Sequence, residues 1–505
     1  MPSVILATIN ARYVHAALGL RYLAANMGEL RADTEIVEFV LGARAADMAE
    51  QLLASSPRVI GLGVYIWNVE ESTRLVSLLK TVAPEVLVVL GGPEVSYETD
   101  SQRICELADY VVTGWGDVSF PALCAKLMAG ERPAEKIIAG VQPPLSQIRL
   151  PYAEYTDEDV AKRFLYVEAS RGCPFKCEFC LSSLDKTAWG FDLDAFMREL
   201  AALHARGARH FRFVDRTFNL KAAVGLRILE FFLERLEDAL FVHFEVIPDH
   251  LPDKLKIAIA RFPPGTLQFE VGIQTWNPEV QSLISRRQDN DASAENLAWL
   301  RRESNAHLHV DLIAGLPDED LESFGRGFDR LYALRPHEIQ VGVLKRLRGT
   351  PIARHTQMHG MRYSADAPYA VLQTNRIGFR DMQRIVRFAR YWDMVGNSGR
   401  FHRTVELMLE VAPHERFMQF SDWLYARARK THEMALERLF EHVHAFLTQE
   451  LGLPLKIATD ALIADYQGSG ARGRLSFMPE GAPRVRMTPG SPGKAALRQV
   501  RHLQS

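Results

Sequence analysis

Three of the chain's five cysteines, Cys173, Cys177 and Cys180, fall within the decapeptide RGCPFKCEFC at residues 171–180. The spacing C-x3-C-x2-C sets three thiols on one tight loop. Thiolates are soft ligands that suit iron–sulfur clusters and zinc. Three of them can ligate three irons of a four-iron (4Fe-4S) cluster, which leaves the fourth iron open to a ligand that is not protein. Structural zinc is the competing reading, but zinc usually closes its tetrahedron with a fourth Cys or His. Neither stands close by in this sequence.

Further chemical groups recur at the ends of apolar runs. RFLYVEAS, HFRFVDRTFN, LFVHFEVIPDH, TLQFEVGIQT, AHLHVDLIAGLP and EIQVGVLKRL lie between about 163 and 350, and each of the first five is followed by a helical segment. Six β/α units predict a full or partial barrel with its active site at the C-terminal ends of the strands. The cysteine loop follows the first of these strands. Asp215, Arg216 and Asn219 end the second, Glu245 the third and Gln274 the fourth. Asp215, Glu245 and Gln274 are the catalytic candidates, with ordinary turn hydrogen bonding as the alternative for the second-strand group. Glu270 lies earlier in its strand and can instead point into the barrel.

The upstream segment has the same alternation. SVILATIN, TEIVEFV, RVIGLGVYI, EVLVVLGG and YVVTG are continuous apolar runs separated by helix-length stretches, the pattern of a parallel sheet covered on both faces. A ligand of such a doubly wound domain sits beyond the carboxyl ends of the strands. Those ends carry Asn10 to His15, Tyr65 to Asn68, Gly91-Gly92-Pro93 and Gly114-Trp115-Gly116-Asp117. Prolines in ERPAEK, VQPPL and RLPY read as a linker, and beyond 352 the pattern turns helical. The expected α/β organisation is a Rossmann-like domain over 1–135, a linker over 136–160, a partial (β/α)6 TIM-type barrel over 161–351, a helical domain over 352–465 and a loosely ordered, basic Gly/Pro-rich tail over 466–505.

A formal charge of −2 over 505 residues gives no global reason to expect nucleic acid or an anionic membrane surface. The opening MPSVILATINARYVHAAL lacks a preceding positive region and a small-residue cleavage site, so it reads as a first strand. No run approaches the roughly 18 apolar residues of a membrane span. A cluster of three cysteines is no disulfide framework and fits a reducing cytoplasm.

Cys173, Cys177 and Cys180, with Phe179 before the last of them, resemble the signature of radical S-adenosylmethionine enzymes. The resemblance implies that the open iron chelates the amino and carboxylate groups of S-adenosylmethionine, and that the reduced cluster cleaves it to a 5'-deoxyadenosyl radical. It further implies an external electron donor such as flavodoxin or ferredoxin. VDLIAGLPDE at 310–319 is similar to the family's fifth-strand segment, so Gly315, Leu316 and Pro317 are expected to let backbone approach the adenosine; a tight β-to-α turn is the alternative. FVDRTFN stands where many members have a Gly-Gly-Glu segment for the methionine amino group, and there this chain departs from the family.

A Rossmann-like domain before such a barrel resembles the cobalamin-dependent branch, through HAALGLRYLAA, VYIWN, VLGGPEVS and VTGWGD. That implies a corrinoid whose nucleotide tail lies against Gly91, Gly92, Pro93, Gly114 and Gly116. The Asp-x-His-x-x-Gly motif of other cobalamin proteins is absent, so cobalamin is expected without its own base on cobalt, and Tyr13, His15 or Trp67 near the lower corrin face. Methylthiotransferases, which carry three N-terminal cysteines, do not match: Cys105 and Cys124 read as core residues. APYAVLQTN and VGNSGRF resemble the C-terminal region of one uncharacterised subgroup, with Tyr369, Asn397, Ser398 and Arg400 as candidate substrate contacts or helix caps. The resemblance implies a methyltransferase that moves a methyl from S-adenosylmethionine by way of methylcobalamin to an unactivated carbon or phosphorus of a small molecule or peptide. A rearrangement or cyclisation without methyl transfer, and a non-enzymatic cobalamin or iron–sulfur sensor, are the alternatives.

Overall fold

A computed structural model describes residues 1–469, 471, 473–478, 499, 501 and 502. It contains two six-stranded parallel sheets in series. The first is built from β1 (Val4–Asn10), β2 (Thr34–Val40), β3 (Val59–Gly63), β4 (Leu87–Gly91), β5 (Tyr110–Thr113) and β6 (Ile137–Ala139), in the order β2-β1-β3-β4-β5-β6. Every residue of β1 is buried, as a continuous apolar run at the centre of a sheet covered on both faces requires.

The sixth strand corrects the expected linker. Residues 137–139 pair in parallel with β5; three residues bounded by polar and glycine neighbours are too short to show a strand period. The remainder of the linker is also structural. Tyr152 and Tyr155 are buried in the core of the second unit. Thr156 accepts from the Asp159 backbone N–H and Asp159 answers the Thr156 N–H, a capping box that starts the helix Asp157–Lys162.

The second sheet has the order β12-β11-β10-β9-β8-β7, with β7 (Leu165–Val167), β8 (His210–Phe213), β9 (Phe241–Val246), β10 (Leu267–Gln274), β11 (His307–Ala314) and β12 (Glu338–Val343). It is an open barrel, because no pairing joins β12 to β7. Its alternation is strict. In β10, Leu267, Phe269, Val271 and Ile273 are buried against the helices, while Gln268, Glu270, Gly272 and Gln274 face the other way. The same period in β9 and β11 sends His243, Glu245, His309 and Asp311 to the inner face, so the barrel interior is polar.

Open barrels leave two free strand edges, which must be covered. Side chains cover both. On β7 the Tyr155 hydroxyl donates to the Tyr166 carbonyl (2.7 Å) and accepts its N–H (3.1 Å), and Tyr152 does the same for Glu168 (3.1 and 3.0 Å). On β12 the Asn397 amide donates to the Ile339 carbonyl (2.8 Å) and accepts its N–H (2.9 Å). The region beyond the barrel is helical, with helices Phe379–Met394 and Pro413–Ala428 joined through Phe388, Trp392 and Phe417. The expected loose tail needs correction where it is described: Ser469, Leu475, Gln499 and His502 are buried. Residues 479–498 of that tail lie outside the described residues.

Candidate active site

The cysteine loop is held at both flanks by buried ions. Glu178, between Cys177 and Phe179, binds Arg354 (2.5 Å), His355 (3.0 Å) and the Ser285 hydroxyl (2.6 Å), and its carbonyl accepts from Ile352 N–H. Arg171, two residues before Cys173, binds Glu168 and Asp117, each at 2.8 Å, and lies over the rings of Tyr22 and Trp115. Asp117 belongs to the first unit and Glu168 to the second, so one guanidinium joins the loop to both.

Cys173, Cys177 and Cys180 line one side of a cavity of 240 Å³. Burial pushes the Cys173 thiol up to about 11 and the Cys177 thiol up as well, against the charge of Arg286, which donates to Cys177 Sγ at 3.5 Å. Metal that takes these sulfurs as thiolates must displace protons. Among the described residues no three His, Cys, Asp or Glu side chains are gathered to hold a single metal ion; the three cysteines share the lining of one cavity.

Phe179, Arg216, Glu245, Glu270, Gln274 and Asp311 line the same cavity. Arg216 and Glu245 pair at 2.5 Å, and Glu245 lies beside Glu270 in the β9–β10 register. Burial raises Glu270, but the His243 hydrogen bond and the charges of His243, His309 and Arg216 outweigh it and hold this carboxyl below the usual range. Burial, then the charges of Glu270 and Glu245, push Asp311 well above it. Asp311 Oδ1 and Gln274 Oε1 are buried without a hydrogen-bond partner. Gln274 also has φ 69° at a register shift in β10, where the side chain folds back over Gly272. Gln274 Oε1, with no partner, and Asp311 Oδ1, with only the His309 ring at 3.6 Å, lie beside the three thiols and suit a ligand that brings its own donors, as the hydroxyls and ammonium of S-adenosylmethionine would.

Asp215 does not line that cavity. It is buried, accepts from Ala169 N–H (3.0 Å) and the Ser170 hydroxyl (2.6 Å), and so fixes the strand end from which the cysteine loop departs. Burial drives its carboxyl up to about 7. Asn219 similarly ties its loop to Ile247 and His250.

A second cavity, of 300 Å³, opens at the ends of β3, β4 and β5. Its walls are Gly19, Gly61, Gly63, Gly91, Gly92, Gly114 and Gly116 with apolar side chains, and Asp117 and Arg171 also line it. Gly92 has φ 106° and lies so close to Val64 that a Cβ would stand 2.5 Å from its carbonyl oxygen. An apolar slot walled by backbone admits a bulky, flat group, and it fits the nucleotide tail of cobalamin.

The other sequence candidates sit elsewhere. Pro93 starts a short turn beyond Gly92 and does not line the slot. Tyr13 donates to Glu158, His15 Nδ1 meets the Tyr166 hydroxyl at 2.6 Å, and Trp67 stacks on Tyr65 with its Nε1 on the Ile9 carbonyl. None of these three lines the slot. Gly315, φ 84°, packs its open face against Val371 and Met382, and buried Leu316 and Pro317 follow away from the cysteine cavity. Tyr369 donates to Glu94 (2.6 Å) and accepts from Arg348 (3.0 Å), a contact between the first unit and the segment after the barrel. Asn397 covers the β12 edge, Ser398 caps its own turn and Arg400 lines a third cavity. Arg171, Glu178 and Arg286 were not legible as site residues, because Asp117, Arg354 and Cys177, the partners that tie them to the site, are more than fifty residues away in sequence.

Family models match three consecutive stretches: a B12 binding domain over residues 4–124, the Radical SAM superfamily over 167–331 and a protein of unknown function, DUF4080, over 357–483. An uncharacterized methyltransferase of Pyrococcus horikoshii is 26% identical over 330 residues, 60% of this chain and 70% of that one. The cobalamin-dependent radical SAM methyltransferase TokK of Streptomyces tokunonensis is 24% identical over 356 residues, 59% of this chain and 48% of its own. The chain thus spans about half the length of this second relative. Among solved structures, the cobalamin-dependent S-adenosylmethionine radical enzyme OxsB with aqua-cobalamin bound superposes with a TM-score of 0.62 at 12% identity, covering 91% of this chain and 80% of that one. The methyltransferase TsrM from Kitasatospora setae, with cobalamin and a [4Fe-4S] cluster bound, gives 0.56 at 17% identity over 73% and 82%. At these identities the structural likeness concerns the fold.

Proposed function

We propose that this chain, in which a B12 binding domain, a Radical SAM domain and a DUF4080 region are matched in series, is a cobalamin-dependent methyltransferase acting on an unactivated carbon or phosphorus of a small molecule or peptide. The observation that carries the reading is the pair of cavities: three thiols on the lining of one, glycine backbone around the other, and Arg171 of the cysteine loop lining the second. When bound, the cluster supplies an electron to cleave S-adenosylmethionine and cobalamin supplies a carrier for its methyl group.

The chain's own residues supply position and exclusion. Cys173, Cys177 and Cys180 hold the cluster, and Glu178 and Arg171 fix the loop that presents them. Gln274 and Asp311 offer acceptors to S-adenosylmethionine, with Arg216 and Glu245 as a fixed ion pair at the rim. Gly91, Gly92, Gly114 and Gly116 keep the slot open for the corrinoid tail. Asp215 acts as a positioning residue beneath the loop. A cytoplasmic location and an external reductant of the flavodoxin or ferredoxin type complete the proposal. No helix among the described residues is long and apolar enough to cross a membrane.

The test is reconstitution with iron, sulfide and cobalamin, followed by incubation with methyl-labelled S-adenosylmethionine and a strong reductant. Both 5'-deoxyadenosine and S-adenosylhomocysteine are expected, the second only when cobalamin is present. Deoxyadenosine without S-adenosylhomocysteine would instead favour rearrangement, and neither product would point to a sensor.

A further inference from the structure

At the end of the barrel opposite the cysteines, the approaches to β11 and β12 meet the helical region around a cavity of 570 Å³. That end of a barrel normally serves stability, not chemistry. Here it is strongly basic. Arg301, Arg335, Arg400, Arg403 and Arg501 line it against two carboxylates, Glu406 and Asp465. Both carboxylates are already engaged. Glu406 pairs with Arg335 at 3.2 Å, and Asp465 accepts from the backbone N–H groups of Arg403 and Thr404 and from the Thr404 hydroxyl.

Arg301 and Arg403 therefore have no acidic partner among the described residues; Arg301 spends its Nε on the Arg335 carbonyl at 2.9 Å. The neighbouring histidines register the same field. Burial, then the charges of His307, Arg301, His502 and His402, push His337 down to about 2. The Trp392 indole N–H on this wall is also buried with no hydrogen-bond partner. Guanidinium groups and the indole N–H are donors, so Arg301, Arg403 and Trp392 present donors that the two engaged carboxylates do not answer. Oxyanions meet that demand, and arginine forks match phosphoryl oxygens in particular. Beside the cations, Tyr332, Trp392 and Phe401 form an aromatic wall.

We propose that this cavity is a binding site for an organic phosphate, with the phosphoryl group on Arg301 and Arg403 and an aromatic or apolar organic part against Tyr332 and Trp392. The site is separate from the cysteine cavity and does not depend on which reaction occurs there.

The experiment is isothermal titration of the full chain with phenyl phosphate and with inorganic phosphate, at constant ionic strength set by chloride. Saturable one-site binding of phenyl phosphate is expected, at least about tenfold tighter than inorganic phosphate because the ring gains the aromatic wall. The double variant Arg301→Ala/Arg403→Ala is expected to weaken phenyl phosphate at least about tenfold, with an unchanged thermal midpoint and unchanged iron content after reconstitution. Tyr332→Leu, a milder change, is expected to narrow the gap between the two ligands. The proposal is overturned if phenyl phosphate shows no saturable binding at millimolar concentration, or if the double variant binds it as the parent does. Equal affinity for the two ligands would overturn the assignment of an organic part.

Discussion

The cavity of the barrel is lined by thiols, carboxylates and guanidinium groups, whereas the slot of the first unit is lined by glycines and apolar faces, although both open at the C-terminal ends of six-stranded parallel sheets. One is defined by the side chains present and the other by side chains that are missing. Loss of function therefore takes different forms in the two. In the barrel, deleting a group removes chemistry; in the slot, adding a group removes space.

The largest expected effect comes from Cys173→Ala/Cys177→Ala/Cys180→Ala. Iron content after reconstitution and deoxyadenosine formation should both fall to background, while cobalamin retention, read by absorbance, stays near that of the parent. Loss of cobalamin together with iron would mean that the two cavities do not behave as separate sites. Next in size is Arg171→Gln, at a residue that both lines the slot and belongs to the cysteine loop. Removing one partner of a buried ion group leaves Asp117 and Glu168 uncompensated and is expected to cost about 3–5 kcal/mol, measured by denaturant unfolding. A cost below about 1 kcal/mol would show that the knot between the two units is screened by solvent.

Gly91→Leu probes the slot alone. A Cβ at Gly91 would meet nothing nearer than the Val112 carbonyl at 3.8 Å, and its φ lies outside the left-handed region, so the backbone tolerates a side chain there. The leucine then occupies space in the slot. Cobalamin affinity should fall about a hundredfold, or roughly 2.7 kcal/mol, with iron content unchanged. Unaltered cobalamin binding would remove the slot as the site of the corrinoid tail.

The contrast also explains what was legible in the sequence. The cysteines announce themselves by type and spacing, and the alternation in LQFEVGIQ and HLHVDLIA places Glu270 and Asp311 on the inner face. The glycines of VLGGPEVS and VTGWGD show where a slot can be, because absence of a side chain is visible as a letter. Tyr13, His15 and Trp67 share the same loop ends but turn to partners of their own, and a loop's position does not fix where its side chains point. Arg171, Glu178 and Arg286 were illegible for another reason. Each is a common surface residue type whose meaning comes from its surroundings and a partner distant in sequence. The linker failed on length: KIIAG is too short to reveal a strand, and Tyr152 and Tyr155 act on a strand edge only the folded sheet creates.

Asp215 gives the smallest and most specific test. It stands beneath the cysteine loop, outside the cavity, so its effect should appear in stability rather than in iron content. Its carboxyl is raised from its ordinary range to about 7, by burial first and against the hydrogen bonds of Ser170 and Ala169. A group raised on folding binds its proton more tightly in the native state. Its contribution is therefore complete in acid, below the ordinary carboxylate range, and is lost as pH rises through about 7. Asp215→Asn keeps an acceptor for the Ala169 N–H, turns its amide N–H toward the Ser170 hydroxyl, which can accept in its place, and cannot ionise. Across the window from about pH 5 to about 6.5 the parent should lose about 2 kcal/mol relative to the variant, at roughly 1.4 kcal/mol per pH unit. Parallel stability curves for the two proteins over that window would show that Asp215 is ionised throughout, and that Ser170 and Ala169 hold it as a carboxylate.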